Sequence, residues 1–150
     1  MLGRDLLDAG WAVRGTTRRK GGLAAIEEAG IEAVRADPDQ VWSLIEQLDG
    51  VTMVFWLLGS ATGDEAGVKA IHGPRLERML EEIVDTPVRG FVYEASGTVD
   101  AKLLERGARI VNAAAERWHI RTELVEPERQ DPASWRASTL AAVVRLIGTS

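Results

Sequence analysis

Three short stretches of this chain combine residue types that bind or polarise small molecules. Thr16-Thr17-Arg18-Arg19 sets two hydroxyls beside two guanidinium groups, and no Asp or Glu occurs between Trp11 and Leu23. Arginine presents a planar fork of donors that suits phosphate oxygens. Leu58-Gly59-Ser60-Ala61-Thr62-Gly63 follows a long apolar run. Glycine there admits a close approach to the backbone because it has no β-carbon. Glu94-Ala95-Ser96-Gly97-Thr98 closes a second apolar run with a carboxylate and two hydroxyls. Each stretch also has a plain reading: a solvated basic loop, an ordinary strand-to-loop turn, and a strand end that happens to be polar.

Other constellations are thinner. The sole tyrosine is Tyr93, and the residue four places on is Gly97. Lys102 therefore reads as a solvated helix residue. His72 and His119 show no ligand spacing. His72, just before Gly73-Pro74, reads as assisting the start of a helix, and His119 as exposed in a turn. There is no cysteine, which excludes disulfides, thiolate catalysis and cysteine-held zinc. The five tryptophans fall mostly on apolar stripes, where packing accounts for them. No metal site is expected.

The elements that must position these residues alternate along the chain. Leu23, Ile26 and Ala29 before Gly30 give a short helix, and residues 31–36 alternate as a strand. Asp37-Pro38 reads as a helix start, with Val41, Leu44, Ile45 and Leu48 at helical spacing. Residues 51–58 are nearly all apolar, as in a parallel strand covered on both faces. Gly73-Pro74 opens a helix with the stripe Leu76, Met79, Leu80 and Ile83, and residues 88–95 form the next strand. Leu104, Ala108, Val111, Ala115 and Trp118 trace a further helix, 120–126 a strand, and Asp131-Pro132 caps a closing helix. Short strands alternating with helices indicate βαβ units and a parallel sheet.

A chain of 150 residues with 45% hydrophobic content suits one domain, here 1–150. A net charge of −5 argues against a nucleic-acid surface. The longest apolar run is too short to span a bilayer, and no signal peptide is evident, so a soluble cytoplasmic protein is expected.

The opening Leu2-Gly3-Arg4, a helix closed by Gly10 and a strand ending in Thr17-Arg18-Arg19 resemble the second half of a dinucleotide-binding βαβ unit. The pattern is that of extended and atypical short-chain dehydrogenase/reductases, the superfamily of the NAD-dependent epimerase/dehydratases. The resemblance covers essentially the whole chain. It implies a Rossmann-like doubly wound parallel sheet in three α/β/α layers, lacking the first strand and its glycine-rich loop. It implies that Gly3 is the last glycine of the fingerprint and that Thr17, Arg18 and Arg19 meet the adenosine ribose. Arginine there favours the 2′-phosphate of NADP over NAD. It further implies that Asp37 contacts the adenine, although capping alone explains an Asp before Pro. Leu58, Gly59 and Ser60 would line the ribose, and Ser96 would hydrogen-bond the substrate carbonyl. The family's Tyr-x-x-x-Lys catalytic pair has no counterpart.

The absent first strand belongs between the strands that start at Trp11 and Val51, so two edges would be left unpaired. Either the natural protein starts upstream of Met1, which is the expectation favoured here, or the two neighbours close the gap. The leading functional expectation is an NADP-binding protein without the Tyr-Lys pair, acting as a sensor, a partner or a degenerate enzyme. A second is an NADP-dependent reductase or epimerase with another proton donor, Glu94 or Ser96, acting on an unknown small molecule. A third is a cofactor-free interaction module, a homodimer through its edges, which applies if Met1 is the genuine start.

Overall fold

Among the described residues the chain forms five short strands, parallel within each ladder: β1 (Arg14–Thr17), β2 (Glu32–Arg35), β3 (Met53–Trp56), β4 (Gly90–Glu94) and β5 (Arg121–Val125). The helices described are α1 (Leu2–Asp8), α2 (Gly22–Glu28), α3 (Val41–Ile45), α4 (Glu65–Ile71), α5 (Pro74–Ile83), α6 (Ala101–Trp118) and α7 (Pro132–Gly148), which connect and flank the strands. This computed structural model describes residues 2–17, 21–38, 40–126 and 131–148. The alternation of helix and parallel strand expected from the sequence is what forms.

Strand periodicity divides the core in two. Side chains alternate across a sheet, so Phe91 and Tyr93 of β4 face one way and Val92 the other. Phe91 and Tyr93 pack with Leu76, Met79, Leu80 and Ile83 of α5 and with Val111 of α6. Val92 packs with Leu2 and Leu6 of α1 and with Trp135, Val143 and Leu146 of α7. β4 is buried along its whole length, as a central parallel strand should be. The result is the three-layer α/β/α arrangement.

The sheet is not continuous. β1 pairs with β2, and β3 pairs with β4, which pairs with β5; no ladder joins β1 to β3. The alternative in which the strands after Trp11 and Val51 pair directly is not what forms. Helices and side chains span the break where strands do not. The Asp5 carboxylate in α1 accepts from Nε and Nη2 of Arg136 in α7, both at 2.6 Å, which fixes α1 to the larger part of the molecule. The other side of α1, through Arg4 and Leu7, lies against Gly30 in the turn before β2. Trp11 and Val13, leading into β1, pack into the same cluster as Met53, Phe55 and Leu57. Arg14 of β1 donates from Nη1 to the Gln47 carbonyl at 2.5 Å, in the loop before β3. The strands are held at their stations by the layers above them.

Helix starts follow the expected chemistry with one exception. Asp131 Oδ1 accepts from Ser134 N at 3.3 Å at the head of α7, and Pro132 takes its first position. Asp37-Pro38 does not begin a helix. The Ser43 hydroxyl accepts from Asp37 N at 2.9 Å and lies 3.2 Å from the Asp37 carbonyl, and Gln40 N donates to that carbonyl. These bonds tie Asp37, Gln40 and Ser43 together, and α3 starts at Val41 with Gln40 before it. Helix α4 was not anticipated. Its cap is clear enough, with Asp64 Oδ1 accepting from Gly67 N at 2.6 Å, but Gly67 and a single buried residue, Ile71, blur its periodicity. Trp42 departs from the packing expectation: it is 57% exposed on α3.

Gly107 marks the closest approach of α6 to β4. A β-carbon on it would collide with the phenol oxygen of Tyr93. Both groups are buried, so Gly107→Ala is expected to destabilise the fold by about 1–3 kcal/mol, the usual cost of overpacking. Urea denaturation of the variant beside the parent protein measures it.

Candidate functional site

All five strands point their carboxyl ends to the same edge, where ligands bind in open parallel sheets. At the ends of β3 and β4 the chain passes through Leu58, Gly59 and Ser60 on one side and Ala95, Ser96 and Gly97 on the other. These two turns are in direct contact. Val99 N donates to the Gly59 carbonyl at 3.0 Å, and Thr98 N to Ser60 Oγ at 3.3 Å. A β-carbon on Gly59 would strike the Ser96 carbonyl oxygen, and one on Gly97 would strike Gly59. The space that glycine leaves at 59 is therefore used by the protein's own backbone.

Glu94 ends β4 among these residues and is fully buried. Its Oε1 accepts from Gly59 N at 2.8 Å, and its Oε2 accepts from the indole Nε1 of Trp135 at 2.7 Å. A buried carboxylate is tolerable only with such donors. The same bonds commit both oxygens to the structure, so Glu94 is not poised as the proton donor that the sequence suggested. Ser96 is also buried, with Oγ 3.4 Å from the Val125 carbonyl. A cavity of about 330 Å3 lies beside it, bounded by Gly97, Val99, Leu104, Glu105 and Glu126. The Ser96 hydroxyl lines that space and has the donor and acceptor capacity to engage a carbonyl.

Behind the turn, His72 links α4 to β4. Its Nε2 lies 2.8 Å from the Leu58 carbonyl and its Nδ1 2.6 Å from the Tyr93 hydroxyl. A carbonyl only accepts, so Nε2 carries the proton, and Nδ1 of the neutral ring accepts from the tyrosine. Burial lowers the His72 pKa, opposed by the Leu58 hydrogen bond and by Glu94. Burial likewise raises the Tyr93 phenol, with the Glu94 charge adding to it. Tyr93 is thus a neutral core residue. The sequence suggested that His72 helps a helix begin; instead it is a buried tie between two elements. His119 is exposed as expected, in a left-handed conformation with φ of 56°.

The remaining site residues lie on the same edge but across the break in the sheet. Thr17 ends β1, and its carbonyl accepts from Ala36 N at 3.0 Å, which sets Thr17 beside Asp37. Gly3 sits in the first turn of α1. Asp5, two residues on, meets Arg136, the neighbour of Trp135, so this end of α1 also lies toward the carboxyl edge. Arg18 and Arg19 lie outside the described residues. The structure thus forms two groups: Thr17 with Asp37, and Leu58–Ser60 with Ser96. Among the described residues no cluster of three His, Cys, Asp or Glu forms a candidate metal site. None of the described helices is long and apolar enough to cross a membrane.

Sequence reasoning missed the Glu94–Trp135 and His72–Tyr93 bonds. The available signal was a carboxylate placed directly after a strand with no other polar tolerance, Gly90-Phe91-Val92-Tyr93. Its partners are 35 and 41 residues away, beyond any local pattern.

No protein-family model and no curated protein sequence matches this chain. Solved structures do match in fold. A UDP-glucuronic acid 4-epimerase from Bacillus cereus, in complex with NAD, superposes over 85% of this chain and 53% of its own, with a TM-score of 0.64 and 12% identity. A triphenylmethane reductase from Citrobacter sp., complexed with NADP(H), superposes over 83% of this chain and 44% of its own, with a TM-score of 0.61 and 14% identity. The chain therefore has the Rossmann-like fold of these enzymes and spans about half their length. Identities this low establish the fold and nothing finer.

Two measurements follow from the buried polar groups. Truncating Glu94→Ala leaves the Gly59 amide and the Trp135 indole without their acceptor, at an expected cost of about 2–5 kcal/mol; thermal and urea unfolding quantify it. His72 is held neutral in the folded chain, while the unfolded chain takes up its proton near the ordinary value of about 6.5. Its contribution is complete above that pH and is lost as the pH falls below it. A His72→Gln variant is expected to show a shallower decline of melting temperature on acidification than the parent.

Proposed function

We propose that this chain is the larger part of an NADP-type dinucleotide-binding domain, one that works without the Tyr-Lys pair of its superfamily. The observation that carries this reading is the interrupted sheet. Two sets of parallel strands form separate ladders, with Thr17 and Asp37 at the carboxyl edge of one set and Leu58–Ser60 and Ser96 at the edge of the other, which leaves room in this reading for a strand between them. In this reading Thr17, Arg18 and Arg19 hold the adenosine end, with Arg18 selecting the 2′-phosphate. Asp37, Ser60 and Ser96 line the cleft, and Gly3 closes the pyrophosphate turn. The neighbours, one complexed with NAD and one with NADP(H), support a nicotinamide dinucleotide as the ligand class.

The fit of the dinucleotide is uneven. Hydroxyls at Thr17, Ser60 and Ser96 suit the ribose and nicotinamide ends. Backbone amides for the pyrophosphate, which a glycine-rich turn would provide ahead of α1, are not among the described residues. Residues 1–150 then form a single domain that is incomplete at its N-terminus, and affinity of this chain alone is poor. If the domain carries out hydride transfer between the dinucleotide and a small molecule, Ser96 is the residue that touches the substrate carbonyl. Glu94 is excluded from that role by its two structural bonds. The protein works in the cytoplasm in this reading.

Titration with NADPH and NADH tests the proposal, followed by calorimetry or nicotinamide fluorescence. Fusing one strand and a glycine-rich turn ahead of Leu2 is expected to tighten NADPH binding by at least about tenfold. Arg18→Glu in that fusion is expected to shift the preference from NADPH toward NADH. Equal affinity with and without the added strand overturns the reading, and so does concentration-dependent self-association that no dinucleotide affects.

A further inference from the structure

The turn that ends β3 has little slack of its own. The Leu58 carbonyl accepts from His72 Nε2 at 2.8 Å and from Ala61 N at 3.2 Å. Gly59 donates to Glu94 and accepts from Val99, and the Ser96 carbonyl fills the space beside its α-carbon. Each residue has only two soft dihedrals, so a shift of the Leu58 carbonyl is passed on to Ser60. Of the side chains that make these ties, His72 is the one whose charge ordinarily changes near neutral pH.

His72 is fully buried, and its imidazole stands edge-on to Tyr93, with ring centroids 5.7 Å apart and planes at 77°. The Ile71 carbonyl accepts from the Trp56 indole at 3.0 Å, which ties the preceding residue to β3. Among the described residues, Tyr93 and Glu94 face this corner from β4. Arg106 faces it from α6, its guanidinium carbon 3.3 Å from where a β-carbon on Gly73 would sit. Lys69 of α4 and Arg75 of α5 are exposed, and residues 51–63 include no ionisable side chain.

In the neutral imidazole, Nε2–H donates to Leu58 and Nδ1 accepts from the phenol. A second proton, on Nδ1, sets two donors face to face across 2.6 Å, and burial disfavours the added charge. Relieving that contact moves the imidazole, and the Leu58 carbonyl moves with it. We propose that His72 is a positioning residue for the Leu58–Ser60 turn, and that a proton on its Nδ1 displaces the turn and weakens the ligand held there. The identity of that ligand rests on the function proposed above; the link from His72 to the turn does not.

Proton–nitrogen correlation spectra of the full chain test the link. The chain has two histidines, so His119→Gln identifies the His72 signals. At neutral pH the proton is expected on Nε2, and on acidification the Gly59 and Ser60 amide signals are expected to shift with the midpoint of the His72 imidazole. Tyr93→Phe keeps an aromatic ring and removes the donor to Nδ1, so both midpoints are expected to move together to higher pH. In the strand-fused chain, NADP+ affinity is expected to fall at least about threefold on crossing that midpoint. His72→Gln keeps one donor and one acceptor without a titrating proton, and is expected to lose that fall. The phosphate of NADP+ titrates alike against both proteins, so the comparison isolates the imidazole. Turn amides that do not follow His72, a proton on Nδ1 alone at neutral pH, or the same acid dependence in His72→Gln overturns the inference. A flat NADP+ titration beside amides that follow His72 removes the dinucleotide reading alone and leaves the link standing.

Discussion

The carboxylate of Glu94 stands where three elements have to meet. It ends the most deeply buried strand, accepts from the backbone amide that follows the neighbouring strand, and accepts from an indole on the helix that closes the chain. Removing a carboxylate from water is costly, and two well-placed donors offset much of that cost only when all three elements are in register. A displacement of β3 along β4, or of α7 along the sheet, leaves a buried charge without its donors. The close passage of Gly59 past Ser96, and with it the shape of the turn that forms the candidate site, depends on that register. The His72–Tyr93 bond adds a second tie on the other face of the same strand.

On the far side of β3 the organisation changes. No strand continues the sheet toward β1, and what joins the two parts is a helix, a cluster of side chains and the reach of Arg14 into the loop before β3. Helix α1 lies between the parts, salt-bridged to α7 and in contact with the turn before β2. Parallel strands depend on covering layers more than antiparallel ones do, since both faces are buried. Here the covering layers, and not a ladder, join the two parts.

Much of this could be read from the chain. The apolar run at 51–58 and the stripe of Leu76, Met79, Leu80 and Ile83 became a strand and a helix because their periodicities are unambiguous. Asp131-Pro132 capped a helix as its chemistry requires, yet the same dipeptide at Asp37 did not. The difference is Ser43, whose hydroxyl satisfies the Asp37 backbone in a turn and so removes the need for a helix there. The carboxyl-edge placement of Thr17, Ser60 and Ser96 followed from strand order alone. The buried roles of Glu94 and His72 were hidden because they depend on partners brought from distant parts of the chain. Trp42 is apolar by type but lies outside the stripe of Val41, Leu44, Ile45 and Leu48, and the short α3 turns it outward.

The two parts of the sheet also differ in how much of themselves they bury. Between Ala12 and Asp37 only Ile31 and Ala36 are buried among the described residues, and α2 buries none of its side chains. The part built on β3, β4 and β5 contains the residues with no exposure at all. Local opening costs least where few apolar groups leave water, so the β1–β2 unit exchanges its amide hydrogens through smaller fluctuations than the rest. Any molecule that touches both units must first draw from the fraction in which the weaker one is closed, and by binding it enlarges that fraction.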